Sequence, residues 1–257
     1  MDFSRQVVLV TGAGQGIGQA IATAFGEEGS AVVVNDINFD TAENTAAQIN
    51  NAGGRALPIK ADIAERRAVE GMLMGAKQHF GPVSTLVNNA GHVDFMPLME
   101  YSPDSWSRLL DVDLTGVFHC TQAAVPQMEE VGAGYVVNIT SVHASQTLKN
   151  MSAYAAAKAG VVALTKNLAQ ELGPKNIRVN CLSPGTIETK ALQAYFKSLP
   201  ANERETQREY MRSWCSVGRF GQPSDIANVV LFLCSDKACF IHGTEIVADG
   251  GHLARLF

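Results

Sequence analysis

The sequence predicts a single α/β domain built on a doubly wound parallel sheet, and three observations predict it. Short β-branched runs alternate with longer amphipathic or alanine-rich segments along all 257 residues, the pattern of repeated strand–helix units. The runs VVLV and AVVVN are apolar at nearly every position, as strands covered on both faces require. With 46% hydrophobic and 18% charged residues, the chain can bury one large core, so one domain spanning residues 1–257 is expected.

Taken in order, the strands are QVVLV at 6–10, AVVVN at 31–35, RALPIK at 55–60, VSTLV at 83–87, GYVVNI at 134–139, IRVNCL at 177–182 and EIV at 245–247. Helices fill the intervals: one after Gly16, then 40–52, 65–80, 103–128, 152–172 and 224–233. Right-handed crossovers between consecutive parallel strands place these helices on both faces of the sheet. Residues 186–221 break the rhythm. About thirty-five residues are long for a connection in one domain, and the mixture of Leu192, Tyr195, Phe196, Leu199, Tyr210, Met211 and Trp214 with charges suits an amphipathic lid over a substrate.

Composition excludes several roles. A net charge of -5 and a pI near 5.7, with no run of like charge, leave no basic footprint for nucleic acid or an anionic membrane. The N-terminal residues enter an apolar strand at once, without the charged and long apolar regions of a leader, and no stretch approaches a membrane span. The five cysteines are odd in number and widely spaced, unlike a disulfide framework or a zinc site, so no metal is expected and a cytoplasmic location is.

The first strand runs into TGAGQGIG, with glycines at 12, 14, 16 and 18, and then into a helix. Glycine permits a tight turn and lets backbone N–H groups at a helix N-terminus approach a pyrophosphate. A dinucleotide site, a methyltransferase loop and a plain tight turn all accommodate such a sequence. The next strand ends in Asp36, about twenty residues on, where a carboxylate accepts hydrogen bonds from an adenosine ribose and repels a 2′-phosphate. No lysine or arginine lies in the glycine loop or at Asn35, Ile37 or Asn38, which favours NAD over NADP; Asp36 as a turn residue or helix cap is the alternative.

In SAYAAAKAGVVALTK, Tyr154 and Lys158 are four residues apart and share one helix face. A lysine ammonium beside a phenol stabilises the phenolate and equips it for proton transfer. Together with Thr11, Gly12, Gly16 and Gly18, the run Asn88-Asn89-Ala90-Gly91, Ser141, and the run Asn180 to Gly185, these residues make the whole chain resemble the short-chain dehydrogenase/reductase family. The resemblance implies a Rossmann-like sheet of seven parallel strands flanked by helices, a nicotinamide cofactor, and frequent tetramers.

Carried over by position, the resemblance makes Tyr154 the acid/base, Ser141 the substrate orienter, and Lys158 the partner of both tyrosine and nicotinamide ribose. It places Gly12, Gln15, Gly16, Ile17, Gly18, Asp36, Asp62, Ile63, Asn89, Ala90, Gly91, Pro184, Gly185, Ile187 and Thr189 beside the cofactor, with Tyr154 and Lys158. One position departs from the pattern. The family usually has an asparagine that steadies a water relay to the lysine, where this chain has Asp113, read as a working catalytic replacement. An ionised carboxylate accepts hydrogen bonds as the amide oxygen does, but donates none.

His92 and Asp94 after the asparagine turn, His143 after Ser141, and Lys149 and Asn150 before Tyr154 are candidates to face the substrate, together with Ser141 and Tyr154. Such donors and acceptors suit a small sugar, polyol or hydroxy acid, because a polar ligand must replace the hydrogen bonds it loses to water. The apolar side of segment 186–221 argues for a hydrophobic ketone, steroid or acyl chain. The expected activity is NAD-dependent hydride transfer with a secondary alcohol or ketone, and a small sugar, polyol or hydroxy acid is the favoured substrate. A 3-oxoacyl or other carbonyl reductase and a non-catalytic NAD(H) sensor are the alternatives. The resemblance further implies a homotetramer or homodimer, in which the end IVADGGHLARLF can reach a neighbouring subunit.

Overall fold

Every residue of β1 (Val7–Val10) is buried in the computed structural model, which describes residues 3–254. Parallel strands flank β1 on both sides: β2 (Ala31–Asp36), and β4 (Thr85–Asn88), which follows β3 (Arg55–Lys60) in the chain. Beyond β4 come β5 (Gly134–Ile139), β6 (Ile177–Pro184) and β7 (Glu245–Ala248), giving a seven-stranded parallel sheet in the order β3-β2-β1-β4-β5-β6-β7. The chain winds outwards from β1 in one direction and then, from β4, in the other. A crevice therefore opens at the carboxyl ends of β1 and β4, where a ligand is expected in an open α/β sheet.

Alternation along β1 sorts the two faces. Val8 and Val10 point into one core with Ile21 and Phe25 of α1 (Gly16–Glu27), Ile49 of α2 (Phe39–Asn51), and Ile226 and Val230 of the helix Pro223–Leu233. Leu9 points into the other with Leu73 of α3 (Arg66–Phe80), Met128 from the helix Gly116–Val131, and Val136 and Val179 of β5 and β6. Burial of a side chain of this size stabilises the fold by roughly 1.5–3 kcal/mol, which ties the sheet to both helical layers. Between β4 and β5, Asn88 donates to Asn138 Oδ1 at 2.8 Å and to Thr121 at 3.1 Å, while Asn138 donates to Thr165 at 2.9 Å. These buried bonds satisfy the Asn88 amide N–H groups and Asn138 Oδ1 beneath the crevice, while Asn88 Oδ1 has no hydrogen-bond partner among the described residues.

The single helix expected at 103–128 is divided. α4 (Pro103–Leu110) runs into a π-helical turn, Asp111–Thr115, before α5 (Gly116–Val131) resumes regular winding. Such a turn accommodates one extra residue per winding and is often found at functional sites. Here it accompanies full burial of Asp113. A Cβ on Gly116 would lie 2.8 Å from the Ile63 side chain, so glycine lets α5 approach the segment that follows β3.

α6 (Ser152–Leu172) leads through β6 into the long segment, which folds as α7 (Lys190–Ser198) and α8 (Arg204–Arg212). Its neck is closed where Gly221 N donates to Thr186 O at 3.0 Å and Glu188 N to Gly221 O at 2.8 Å. Arg208 of α8 pairs with Glu188 at 2.6 Å and lies over the rings of Phe196 and Phe220 at 5.3 and 5.4 Å. The final helix, α9 (Pro223–Leu233), starts in a capping box between Gln222 and Asp225. Compared with the sequence reading, β4 starts two residues later and extends to Asn88, and β6 continues to Pro184. Neighbouring strands pair to those ends, so the ladder, rather than the apolar run, sets the boundary. Residues 1–2 and 255–257, including Arg255 of the C-terminal end, lie outside the described residues. Among the described residues no helix is long and apolar enough to cross a membrane.

Candidate active site

The crevice holds a cavity of about 540 Å³ whose floor is the glycine turn between β1 and α1. Gly16 takes a left-handed φ of 59°, which aims the start of α1 into the cavity. Asn89 locks the turn from the other strand, its amide donating to Thr11 O and Gly12 O at 3.0 Å each. Gly12, Gln15, Gly16, Ile17, Asp36, Asp62, Ile63, Asn89, Ala90, Gly91 and Thr189 all line this cavity. Gly18 does not; its Cβ would lie 2.3 Å from Gly12 O, so it lets α1 pack on the turn. At the far end the Asp36 carboxylate is fixed by bonds of 3.0 Å from Gly14 N and from Asn38 N.

A second cavity of about 270 Å³ adjoins the first, sharing Ile17, Asn89, Gly91, His92, Val93 and Thr189 with it. Ser141, Tyr154, Lys158, Asp113, Pro184, Gly185 and Ile187 line it. A continuous two-lobed cleft, with a glycine floor at a helix N-terminus and a carboxylate at one end, fits a dinucleotide.

Each catalytic candidate is held by its element. Ser141 caps the short helix Val142–Ala144, its Oγ accepting from His143 N at 3.2 Å. Tyr154 and Lys158 stand one turn apart on α6, and Lys158 Nζ lies 5.5 Å from the Tyr154 ring centroid. Lys158 is only 4% exposed and Asp113 is wholly buried, yet Nζ sits 3.1 Å from Asp113 Oδ2 and 3.4 Å from Ile139 O. Burial opposes the lysine charge, but Asp113 and the facing Tyr154 outweigh it and hold the Lys158 pKa above the ordinary lysine value. Glycine at 91 makes room for this pair: a Cβ there would lie 2.7 Å from Asp113 Oδ2 and 3.2 Å from Lys158 Nζ.

The substrate candidates separate. His143 lines neither cavity; its ring meets that of Tyr154, which lines the smaller one, edge-on at 6.0 Å between centroids. Its burial, and after that the neighbouring His252, lower the imidazole pKa from the ordinary histidine value, which favours the neutral ring. His92 turns towards Asp113, whose Oδ1 accepts from His92 N at 3.0 Å. Asp94 and Asn150 line neither cavity: Asp94 lies 3.7 Å from His92 Nε2, and exposed Asn150 offers its carbonyl to Met96 N at 2.8 Å. Lys149 is exposed as well.

Arg108, Val112 and Lys190 also line the larger cavity. Neither Arg108 nor Lys190 lies near the glycine loop or Asp36 in the chain, where a cofactor cation is expected. Lys190 carried a signal, since it directly follows Thr189, whereas Arg108 reaches the cavity only through the packing of α4.

Residues 12–252 match the family described as enoyl-(acyl carrier protein) reductase. A 3-oxoacyl-[acyl-carrier-protein] reductase of Thermotoga maritima is 36% identical over 251 residues, covering 98% of this chain and 99% of the relative. A 7alpha-hydroxysteroid dehydrogenase of Escherichia coli K12 is 38% identical over 256 residues, covering 100% and 97%. A solved structure described as a short-chain alcohol dehydrogenase of Sinorhizobium meliloti 1021 superposes with a TM-score of 0.93 at 34% identity, covering 99% of both chains.

Proposed function

Because the chain belongs to the short-chain dehydrogenase/reductase family and is a nicotinamide-dependent oxidoreductase of hydroxyl or carbonyl groups, we propose that it transfers hydride between NAD and a secondary alcohol or ketone. The observation that carries this reading is the buried Lys158–Asp113 pair beneath Tyr154, at the inner end of a cleft whose outer end carries Asp36. A bound nicotinamide supplies the hydride acceptor or donor. The protein's own residues handle the proton. In oxidation the Lys158 ammonium favours the Tyr154 phenolate, which removes the alcohol proton; in reduction the Tyr154 hydroxyl protonates the oxygen of the carbonyl. Ser141 holds that oxygen in place, and Gly91 keeps the lysine pair undisplaced.

The carboxylate of Asp36 supports NAD, since it would face a 2′-phosphate with like charge. Arg108 and Lys190 contribute positive charge elsewhere in the same cavity, suited to the pyrophosphate shared by both nicotinamide dinucleotides.

For the substrate, exposed apolar side chains support a ring-bearing secondary alcohol. Val93 lines both cavities, and its loop, which continues through exposed Phe95 and Leu98, is tied by Met96 N to the segment just before Tyr154. The acyl and steroid activities named for the two relatives agree with an apolar substrate. Neutral His143 beside Tyr154 supports the second reading, a small sugar, polyol or hydroxy acid. Segment 186–221 is read as the lid over either, and half-exposed Trp106 and Phe118 on α4 and α5 support assembly as a homodimer or homotetramer.

The test is incubation with NAD⁺, and separately NADP⁺, against cyclic alcohols, hydroxysteroids, sugars, polyols and hydroxy acids, following reduced nicotinamide by absorbance. NAD⁺-dependent turnover of a cyclic alcohol is expected. Turnover only with NADP⁺ overturns the cofactor reading. Cofactor binding without turnover of any alcohol, or of the matching ketones with NADH, returns the sensor.

A further inference from the structure

The segment 186–221 is fastened to the cleft at one side chain. Glu188 stands between Ile187 and Thr189, which line the smaller, catalytic cavity, and Thr189 lines the larger one too. Both oxygens of its carboxylate are held from the lid: Oε2 accepts from Arg208 Nη2 of α8 at 2.6 Å, and Oε1 from the Gln193 amide of α7 at 3.4 Å. Its backbone N donates to Gly221 O at 2.8 Å, at the base of the segment. The ion pair is sheltered, with the Glu188 side chain 15% and the Arg208 side chain 35% exposed.

The guanidinium of Arg208 also lies over Phe196 of α7 at 5.3 Å and over Phe220 at 5.4 Å, and those two buried rings stack on each other at 6.1 Å between centroids. A planar guanidinium serves a carboxylate and aromatic faces together, which a compact ammonium does less well. One residue of α8 thereby joins α7, the base of the lid at Phe220, and the stretch Ile187–Thr189 that runs along the cleft. Isolated surface ion pairs contribute little. A short charge-assisted bond that is sheltered and backed by two rings holds a fixed geometry.

We propose that Arg208 is a positioning residue for the cofactor: through Glu188 it holds Ile187 and Thr189 in the arrangement that receives the dinucleotide. This inference rests on the reading of the cleft as a nicotinamide dinucleotide site and of 186–221 as its lid. Arg208 itself lines neither cavity, so it acts only through Glu188 and the rings. Residues already held in the bound arrangement need not be ordered when the ligand enters, and that raises affinity. The coupling is reciprocal: whatever Arg208 adds to the affinity for cofactor, bound cofactor adds to the order of α7 and α8.

The test is NADH binding to the enzyme without substrate, followed by nicotinamide fluorescence. Ordering one backbone residue changes an equilibrium by on the order of tenfold, so Arg208→Met is expected to bind NADH about tenfold more weakly. Glu188→Gln is expected to lose a similar factor. The double variant is then expected to lose about tenfold in total rather than about a hundredfold, because both substitutions break one link. Arg208→Lys keeps a charge opposite Glu188 and is expected to recover part of the loss. Hydrogen exchange at saturating NADH supplies a readout that does not depend on affinity: the cofactor is expected to slow amide exchange across α7 and α8 in the wild type and not in Arg208→Met.

Arg208→Met affinity within about twofold of the wild type, additive losses in the double variant, or equal protection of α7 and α8 in both proteins overturns the proposal. An Arg208→Lys that binds no better than Arg208→Met overturns it as well. A wild type that does not bind NADH overturns the dinucleotide reading and this inference with it, which separates failure of the site from failure of the latch.

Discussion

Asp113→Asn keeps the shape of a wholly buried side chain and removes the carboxylate 3.1 Å from Lys158 Nζ. At that separation and an effective dielectric of about 20, the attraction is worth about 5 kcal/mol, most of it offset in the wild type by the cost of burying both charges. Removing one partner leaves the other buried and uncompensated, which costs about 3–5 kcal/mol. For a chain of this size, that lowers the unfolding midpoint by about 10 °C at pH 7.

The pH dependence supplies a second, independent sign. In the wild type the Lys158 pKa is raised, so its contribution is fully present below the unfolded lysine value of about 10.4 and is lost as pH rises through the folded value. In Asp113→Asn the burial penalty dominates and lowers the Lys158 pKa. The unfolded chain then binds more protons than the folded one, and stability rises as pH moves from neutrality towards 10. Urea unfolding of the cofactor-free protein across that range reads both effects. A variant within about 1 kcal/mol of the wild type, with a parallel pH trend, would refute the buried pair as a coupled unit.

Tyr154→Phe removes the hydroxyl with little change of shape and is expected to lower kcat by about 10²-fold or more while NADH binding, followed by its fluorescence, stays near normal. Gly91→Ala places a Cβ 2.7 Å from Asp113 Oδ2, and the forced shift is expected to cost about 1–3 kcal/mol in denaturant unfolding together with a marked loss of turnover. Asp36→Ala removes the like charge from the outer end of the cleft and is expected to raise the ratio of NADP⁺ to NAD⁺ kcat/KM at least about tenfold; an unchanged ratio would remove Asp36 as the selector. Among the cysteines, Cys239 is exposed while Cys120 and Cys234 are buried and their thiols pushed up to about 12, so a disulfide exchange reagent is expected to titrate Cys239 first. Fast labelling that survives Cys239→Ser would contradict this assignment.

The sequence by itself determined the parallel sheet, the glycine turn at its first strand, Asp36 at the end of the second, and the shared face of Tyr154 and Lys158. All of these follow from short-range rules: apolar runs for two-sided strands, glycine where backbone must bend or approach, and a four-residue step for one helix face. Tertiary structure alone decided the rest. The π turn interrupts a continuous helical pattern, and no local signal distinguishes it from regular winding. His92 read as a substrate ligand from its place after the asparagine turn. Only the docking of that turn against a residue 21 positions later gave it Asp113 as a partner. Asn150 read as a pocket residue from its place just before Tyr154, and instead bonds a neighbouring loop through its carbonyl. Arg108 lines the larger cavity because α4 packs beside it. A side chain's chemistry is written in the chain, but which charge stands opposite it is set by packing between segments distant in sequence, as that of Asp113 against Lys158 and His92 shows.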